Sequence, residues 1–400
     1  MVHQARPGGD KLVKDTSTPP QLPMFAPEAF PSTLRDPRLV ARLGSALGVA
    51  VTVLFVTGLI SHLHQHPVAW LPLPADPVWG YRLTQGVHVA TGLATIPLLG
   101  AKLWSVYPHL FSWPPTRSLV HGLERLSVGL LAAATGFELI TGVLNLAHLY
   151  LWSFLFPVAH YAMAWVVVGS VLLHLAIKWP VIREAFRRVS PEADEEPPTE
   201  EPRGVISRRG LLVATAAAAA AITVTTVGQT LRPFGWSGLL APRSPADVPG
   251  GIPINRTAVD AGVVAAAEAA SYQLVVGGPR GRSFSLAELS ALEQVEIELP
   301  IACVEGWSAT GVWGGVRLRD VLDLCGVDPD ATVRTVSLEG DGLYARAEVQ
   351  PAFARHPHTL LALRLGGQPL TLDHGYPLRL IAPNRPGVLQ TKWVSRVEVL

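Results

Sequence analysis

The stretch FPVAHYAMAWVVVGSVLLHLAIKW, residues 156–179, decides how the first half of the chain folds. It is long enough to cross a hydrocarbon core of about 30 Å as a helix, and its one charged residue is Lys178. His160 and His174 stand 14 residues apart, nearly four helical turns, so they lie on one face about 21 Å apart along the axis. The stretch therefore predicts a transmembrane helix that presents two imidazoles near opposite membrane surfaces.

Three earlier runs have the same character and, with this one, predict an all-α four-helix transmembrane bundle over residues 43–180. They are Leu43–Leu63, Gln85–Tyr107 and Leu119–Leu146. The composition agrees, since 16% of the 400 residues are charged, against about 25% in an average protein. The 32 basic and 31 acidic residues nearly cancel, so no global field favours nucleic acid as a partner.

The segments beside the bundle differ in composition from it. Residues 1–42 carry scattered prolines and charges, which predicts a disordered cytoplasmic tail rather than a cleavable signal. Residues 181–209 are predicted to form a cytoplasmic linker, because Pro191–Pro202 is acidic and rich in proline. A fifth apolar run, Gly210–Leu231, is rich in alanine and predicts a further transmembrane helix.

Basic residues indicate the orientation of these helices. They cluster at residues 35–42, 102–117 and 178–188, whereas the connections 65–84 and 145–155 hold a single arginine. By the positive-inside rule, the N-terminus and the linker are cytoplasmic in a bacterial cell membrane, and the fifth helix carries the C-terminal domain outside.

The histidines of the apolar half are candidate haem ligands. A histidine within a membrane is costly without a partner, and b-type haem commonly takes two axial nitrogens. We expect His88 and His160 to hold an outer haem, and His121 and His174 to hold an inner one. One or two haems are therefore expected, and interfacial histidines that bond to their neighbours are the alternative.

A cluster of three histidines lies at the outer end of the first predicted helix, at His62, His64 and His66. Surface or quinone-pocket residues are the simpler interpretation of this cluster. His62 is a further candidate ligand.

The layout of residues 40–180 resembles the membrane-anchored dihaem b cytochromes of respiratory formate dehydrogenases and hydrogenases. This resemblance implies that electrons are exchanged with the quinone pool. In those cytochromes the inner haem is partnered from the first span, whereas the inner end of Leu43–Leu63 has no histidine here. That departure argues against the inner haem and leaves the expectation of the outer haem unchanged.

Immediately before the fifth run, Ser207-Arg208-Arg209-Gly210-Leu211-Leu212 resembles a twin-arginine export signal. Two arginines that merely flank a span on its cytoplasmic side are the alternative. The twin-arginine route carries folded cargo, so the resemblance implies that the last domain receives a complex cofactor before export.

From Arg232 onward, short β-branched segments broken by glycine and proline predict a compact α+β domain that is mainly β. One amphipathic helix is predicted at Leu318–Leu324. The predicted strands are Tyr272–Val276, Val295–Leu299, Val333–Leu338, Leu343–Val349, Leu378–Ile381 and Val394–Leu400. Only two cysteines are present, which excludes a four-thiolate zinc or iron–sulfur site.

Three segments carry a second resemblance: LPIACVEGWS at 299–308, DHGYPLRLIAP at 373–383 and GVLQTKW at 387–393. Together they resemble the bacterial exported branch of the sulfite oxidase superfamily of molybdopterin enzymes, over about residues 250–400. The resemblance implies that Cys303 binds molybdenum, whereas Cys325 is interpreted as a buried structural cysteine. It also implies that the molybdopterin is held by Asn255, His374, Arg379, Gly387 and Lys392.

These residue types suit the cofactor, because a phosphate dianion favours a bidentate arginine, a lysine and free backbone N–H groups at a glycine turn.

The loop after Cys303 departs from the family pattern. Sulfite oxidases place arginines there to bind sulfite, whereas Glu305, Trp307 and Ser308 occupy this loop and are the candidate substrate-contacting residues. An acidic loop should repel sulfite, so we expect oxygen-atom transfer to or from a small neutral molecule such as a sulfoxide or N-oxide. The alternative function is a haem b electron carrier or sensor whose outer domain has no turnover.

Overall fold

A computed structural model describes residues 37–68, 70–110, 118–152, 154, 156–187, 207–228, 232–243, 248–340, 342 and 345–400. The predicted tail up to residue 36 and the acidic stretch Pro191–Pro202 lie outside these residues.

Five long helices form the first half: α1 (Pro37–Gln65), α2 (Gly80–Leu110), α3 (Leu119–Leu146), α4 (Phe156–Arg187) and α5 (Arg208–Val227). All five are long and apolar enough to cross a membrane, which confirms the predicted class of a helical membrane half. Helices α1, α2 and α4 extend beyond the predicted apolar runs, since arginine and other polar helix formers continue a helix after the apolar part ends. Residues 37–42 and 181–187, expected in the tail and the linker, are therefore helical.

The helices pack with α1 against α2 and α4, with α3 against α4, and with α5 against α2. At one end of this bundle, Leu39 and Leu43 of α1 are buried against Leu98 of α2 and against Leu211 and Leu212 of α5. The starts of α1 and α5 consequently lie at the same end, and the α1–α2 connection lies at the opposite end.

The second half contains two five-stranded sheets, which confirms the predicted mainly β domain. The first sheet has the order β2-β1-β10-β5-β6, in which β1 and β10 are parallel and the other pairs antiparallel. The second sheet has the order β3-β4-β7-β8, and β9 also pairs with β7. The strands are β1 (Gln273–Val276), β2 (Arg282–Ser285), β3 (Val295–Ala302), β4 (Ser308–Arg317), β5 (Val333–Ser337), β6 (Arg346–Val349), β7 (Leu360–Leu365), β8 (Gln368–Pro369), β9 (Arg379–Ile381) and β10 (Val394–Val399).

Four short helices complete this domain: α6 (Val264–Ala267), α7 (Leu286–Ala291), α8 (Leu318–Leu324) and α9 (Pro351–Ala354). Helix α8 has the predicted bounds, and its Leu322 is fully buried against the first sheet together with Leu274, Phe284 and Val397. A second core, with Trp313 at its centre, lies on the second sheet. Cys325 is fully buried in the first core.

Strand β4 was not predicted, although it is the longest strand among the described residues. Its glycines obscure the pattern of a strand, and the structure gives the reason for one of them. A Cβ added at Gly315 would lie 2.2 Å from the Leu361 carbonyl oxygen and 2.8 Å from the Ala362 Cα. Glycine is therefore required where β7 approaches β4 most closely.

The sheet domain contacts the end of the bundle at which the α1–α2 and α3–α4 connections lie. Asn384, whose φ is 49°, accepts a hydrogen bond through Oδ1 from the Tyr81 amide at 2.5 Å and donates through Nδ2 to the Pro74 carbonyl at 2.7 Å. Nearby, Arg82 donates to the Thr310 hydroxyl at 3.1 Å. The two halves of the chain are thus joined by polar contacts at this end.

The first core provides a test of the fold with a matched control on the same helix. Leu322→Ala removes a side chain with no exposed surface, so we expect a loss of about 2–5 kcal/mol in the free energy of unfolding. Leu324→Ala changes a residue that is 46% exposed and should cost far less. Chemical denaturation of the purified chain in detergent measures both, and equal losses would contradict this packing.

Candidate functional site

Cys303 follows the last residue of β3 and begins a tight turn. Its amide donates to the Trp307 carbonyl at 2.9 Å, and the Gly306 amide donates to the Cys303 carbonyl at 3.1 Å. The thiol is free and 1% exposed. Burial, followed by the neighbouring Glu305 carboxylate, raises the pKa of Cys303. The thiolate therefore needs a compensating cation, which a bound metal supplies.

Two cationic side chains converge on Cys303. Arg379 of β9 is buried and donates through Nη1 to the His374 carbonyl at 3.1 Å, and its Nε has no hydrogen-bond partner among the described residues. Lys392 donates to the carbonyls of Arg256 at 2.7 Å and Asp373 at 2.9 Å. Burial lowers the pKa of Arg379 to about 10, and burial together with the charge of Arg379 lowers the pKa of Lys392 to about 7. Cys303 is an electrostatic neighbour of both cations and raises the pKa of each.

The remaining predicted cofactor residues surround the same place. The ring of His374 lies 2.8 Å through Nε2 from the Ile252 carbonyl and 2.8 Å through Nδ1 from the Thr371 hydroxyl, so it is fixed in orientation. Asn255 is half-buried and precedes Arg256, whose carbonyl accepts from Lys392. A Cβ added at Gly387 would lie 3.3 Å from the Ala302 carbonyl oxygen, which brings this glycine turn against the end of β3.

This donor set fits a molybdopterin. A buried thiol, an arginine with an unpaired N–H, a lysine and a glycine turn provide a metal ligand together with donors for a phosphate. The described residues contain no group of three or more His, Cys, Asp or Glu that could hold a metal ion by themselves. A metal at Cys303 would therefore need further ligands from its cofactor.

Glu305, a candidate substrate-contacting residue, has partners within the chain. Its carboxylate lies 2.5 Å from His148 Nε2 and 3.7 Å from Arg243 Nε, and it accepts from Trp307 Nε1 at 3.1 Å. Although burial opposes ionisation, the hydrogen bond and charge of His148 lower the pKa of Glu305. Its charge is thus compensated, and the geometry favours a role in holding the loop. The Ser308 hydroxyl is buried with no partner in the described part of the chain.

The loop of Cys303 also contacts the membrane half through residues that the sequence analysis did not single out. The Val304 carbonyl accepts from Asn145 Nδ2 at 3.1 Å and from Gln85 Nε2 at 3.4 Å. A Cβ added at Gly306, whose φ is +88°, would lie 2.7 Å from Leu146 Cδ1 and 3.2 Å from Val89 Cγ1. We call the loop residues Val304, Glu305 and Gly306, together with their five partners Gln85, Val89, Asn145, Leu146 and His148, the junction.

The predicted outer pair of histidines is brought together. The ring centroids of His88 and His160 lie 6.2 Å apart, which is compatible with two imidazole nitrogens about 4 Å apart on one metal. His88 Nδ1 lies 3.0 Å from the Leu54 carbonyl and 3.1 Å from the Thr57 hydroxyl, so Nε2 is the nitrogen that can face a metal. A Cβ at Gly58 would lie 3.1 Å from His88 Cε1, so glycine leaves room beside the ring.

His160 has a partner that the sequence analysis did not assign. Its Nδ1 lies 3.0 Å from the Thr141 hydroxyl, and its Nε2 lies 2.9 Å from the Glu138 carboxylate. Metal binding through Nε2 requires that the contact with Glu138 be replaced. An acidic residue within an apolar helix is itself a sign of function, and Glu138 could have been identified on that ground.

The predicted inner pair lies in a more charged environment. Glu124 forms an ion pair with Lys178, and its electrostatic neighbours include both His121 and His174. Lys102 also lies near His174. The inner haem stays a prediction.

Comparison with known proteins identifies the family of the C-terminal domain. Residues 261–400 match the family model of the oxidoreductase molybdopterin binding domain. The C-terminal domain is a molybdopterin-binding domain of the sulfite oxidase superfamily. The resemblance inferred from the three sequence segments is thereby confirmed.

Relatives of the chain include a putative reductase subunit and a sulfite oxidase. It is 37% identical over 135 residues to the putative protein-methionine-sulfoxide reductase subunit YedZ1 of Azospira oryzae, a match that covers 33% of this chain and 50% of the relative. It is 33% identical over 158 residues to human mitochondrial sulfite oxidase, covering 32% of this chain and 29% of that protein. The chain thus spans half or less of the length of these relatives.

A solved structure, the sulfane dehydrogenase SoxCD from Paracoccus pantotrophus, matches 32% of this chain and 38% of its own with 20% identity and a TM-score of 0.29. This likeness is too distant to support an inference about the molybdopterin domain.

The close approach at Gly306 yields a prediction. Gly306→Ala combines an unfavourable φ with a clash against Leu146 and should lower the free energy of unfolding by about 1–3 kcal/mol. Gly262→Ala is the matched control, because its φ is +66° and a Cβ there meets nothing within 4 Å. The difference between the two variants, measured by thermal unfolding, isolates the contact with the membrane half, and a zero difference would contradict it.

Proposed function

We propose that this chain is a membrane-bound molybdenum-dependent reductase of a small neutral substrate such as a sulfoxide, supplied with electrons from quinol through haem b. One observation carries the proposal. The loop of Cys303 in the molybdopterin domain packs directly on α2, the helix that holds His88.

Within this proposal, the residues around Cys303 hold the cofactor. Cys303 supplies the protein ligand to molybdenum, and Arg379, Lys392 and the turn at Gly387 bind the phosphate, with Asn255 and His374 beside them. Molybdenum exchanges two electrons with a substrate on oxygen-atom transfer, whereas haem passes one at a time. Reduction of a sulfoxide consumes two electrons and two protons and yields a sulfide and water, and one quinol supplies both pairs.

In the membrane half, His88 and His160 hold the outer haem, and His121 and His174 are the candidates for an inner one. We place the molybdopterin domain on the outer face of a bacterial cell membrane, after export as a folded unit. Arg208 and Arg209 are both exposed in the first turn of α5, and the Ser207 hydroxyl accepts from the Gly210 amide. An exposed arginine pair at a helix start is consistent with recognition by the export machinery.

The charge of Glu305 is compensated by His148 and Arg243, so it no longer argues for a neutral substrate. Two other observations support a neutral substrate. First, no arginine follows Cys303 within the loop up to Ser308. Second, one relative is named as a subunit of a putative methionine sulfoxide reductase.

Substitution of each of the two cysteines tests the proposal. Cys303→Ser should lose molybdenum and all turnover of methionine sulfoxide with a quinol donor, because the thiolate ligand is removed. Cys325→Ser, a control at an equally buried cysteine, should keep the molybdenum content. Metal analysis and quinol oxidation are the measurements. If the wild-type protein turned over sulfite instead, the proposed substrate class would be wrong. If it had neither molybdenum nor turnover, the alternative function of an electron carrier or sensor would be favoured.

The haem assignment is tested separately. His88→Ala and His160→Ala should each abolish the outer haem, because each removes one axial nitrogen, whereas His66→Ala changes an exposed histidine of the same half and should retain it. A reduced-minus-oxidised spectrum of each purified variant gives the haem content. Full haem content in both variants would show that the pairing is wrong.

A further inference from the structure

The peptide that follows Cys303 is held by two amide side chains from two different membrane helices. Gln85 of α2 and Asn145 of α3 both donate to the Val304 carbonyl, at 3.4 and 3.1 Å. Gln85 is buried and Asn145 half-buried. A carbonyl that receives two donors at a buried interface has both its lone pairs satisfied, which fixes the position of the peptide.

Gln85 lies one helical turn from His88, and Asn145 lies one helical turn from a residue that contacts His160. Gln85 precedes His88 by three residues on α2. Asn145 follows Thr141 by four residues on α3, and the Thr141 hydroxyl contacts His160 Nδ1 at 3.0 Å. Residues three or four apart share a helix face, so the same faces of α2 and α3 serve both the histidines and the loop of Cys303.

The backbone at Gly306 completes this arrangement. Because it has no side chain, the loop approaches Val89, the neighbour of His88, without an intervening group. His148 and Arg243 hold the adjacent Glu305. The loop therefore contacts α2, which carries His88, and α3, whose Thr141 contacts His160 of α4.

We propose that Gln85 and Asn145 are positioning residues that keep the loop of Cys303 docked on α2 and α3, so that electrons cross within one chain between the outer haem and the molybdenum site. This inference rests on the proposed function. No covalent bond would form or break in the crossing: a haem held by His88 and His160 would give up one electron, and a molybdenum cofactor held at Cys303 would accept it. Quinol is the reductant and the sulfoxide is the oxidant.

The test compares Gln85→Leu, Asn145→Leu and the double variant with wild type and with Gln65→Leu. Gln65 is a matched control, since its amide donates to the Ser61 carbonyl on α1 and not to the loop. Hydrogen exchange of the peptides that contain residues 303–307 measures docking without either cofactor. Each lost hydrogen bond changes an equilibrium constant by about fivefold, so the double variant should exchange about twenty-fivefold faster.

The second measurement is the rate of electron transfer out of the haem. The haem is reduced with a limiting amount of quinol and then mixed with methionine sulfoxide, and its reoxidation is recorded optically. We expect slower reoxidation in the double variant, with haem spectrum, molybdenum content and viologen-driven turnover as in wild type. Gln65→Leu should match wild type throughout.

The outcomes separate this inference from the proposed function. Unchanged exchange of residues 303–307 in the double variant would overturn the positioning role. Faster exchange with an unchanged rate of haem reoxidation would overturn the electron path. Wild-type protein that lacks molybdenum or haem would instead overturn the proposed function, and with it this inference.

Discussion

Polar backbone buried between two parts of a protein must be paired, and at the junction this requirement links the reactive loop to the membrane. The Val304 carbonyl is half-buried between the turn of Cys303 and the helices α2 and α3. Gln85 and Asn145 provide the two donors. The position of Cys303 relative to His88 and His160 depends on this pairing, because the loop has few other polar contacts with α2 and α3.

The helical half could be predicted from the sequence because a hydrocarbon core sets one length scale and tolerates few charges. Helix α3 was predicted with its observed bounds, and α1, α2 and α4 were predicted too short because polar residues continue them beyond the apolar runs. The strands β2, β4, β7 and β8 were not predicted. In β4, glycines replace the β-branched residues on which strand prediction depends, and the need for Gly315 arises from the approach of β7, which no local pattern reveals.

The candidate cofactor residues could be named through a resemblance, since the family motif keeps them in order along the chain. The junction could not, because Gln85 and Asn145 are separated from Val304 by 219 and 159 residues, and an amide in an apolar helix carries no distinctive pattern. Glu305 illustrates the same limit. Its charge suggested electrostatic repulsion of a substrate, whereas its partners His148 and Arg243 come from distant segments that composition cannot bring together.

Asn384 adds a consequence for assembly. The first amides of any helix lack partners within that helix, and the Tyr81 amide at the start of α2 is satisfied by a side chain located 303 residues later. The opening turn of a membrane helix is therefore completed by a domain that is synthesised after it. Helix α2 carries Gln85 and His88, and its first turn gains this hydrogen bond only when the C-terminal domain has folded and docked. The two halves mature as one unit, and each serves as part of the other's scaffold.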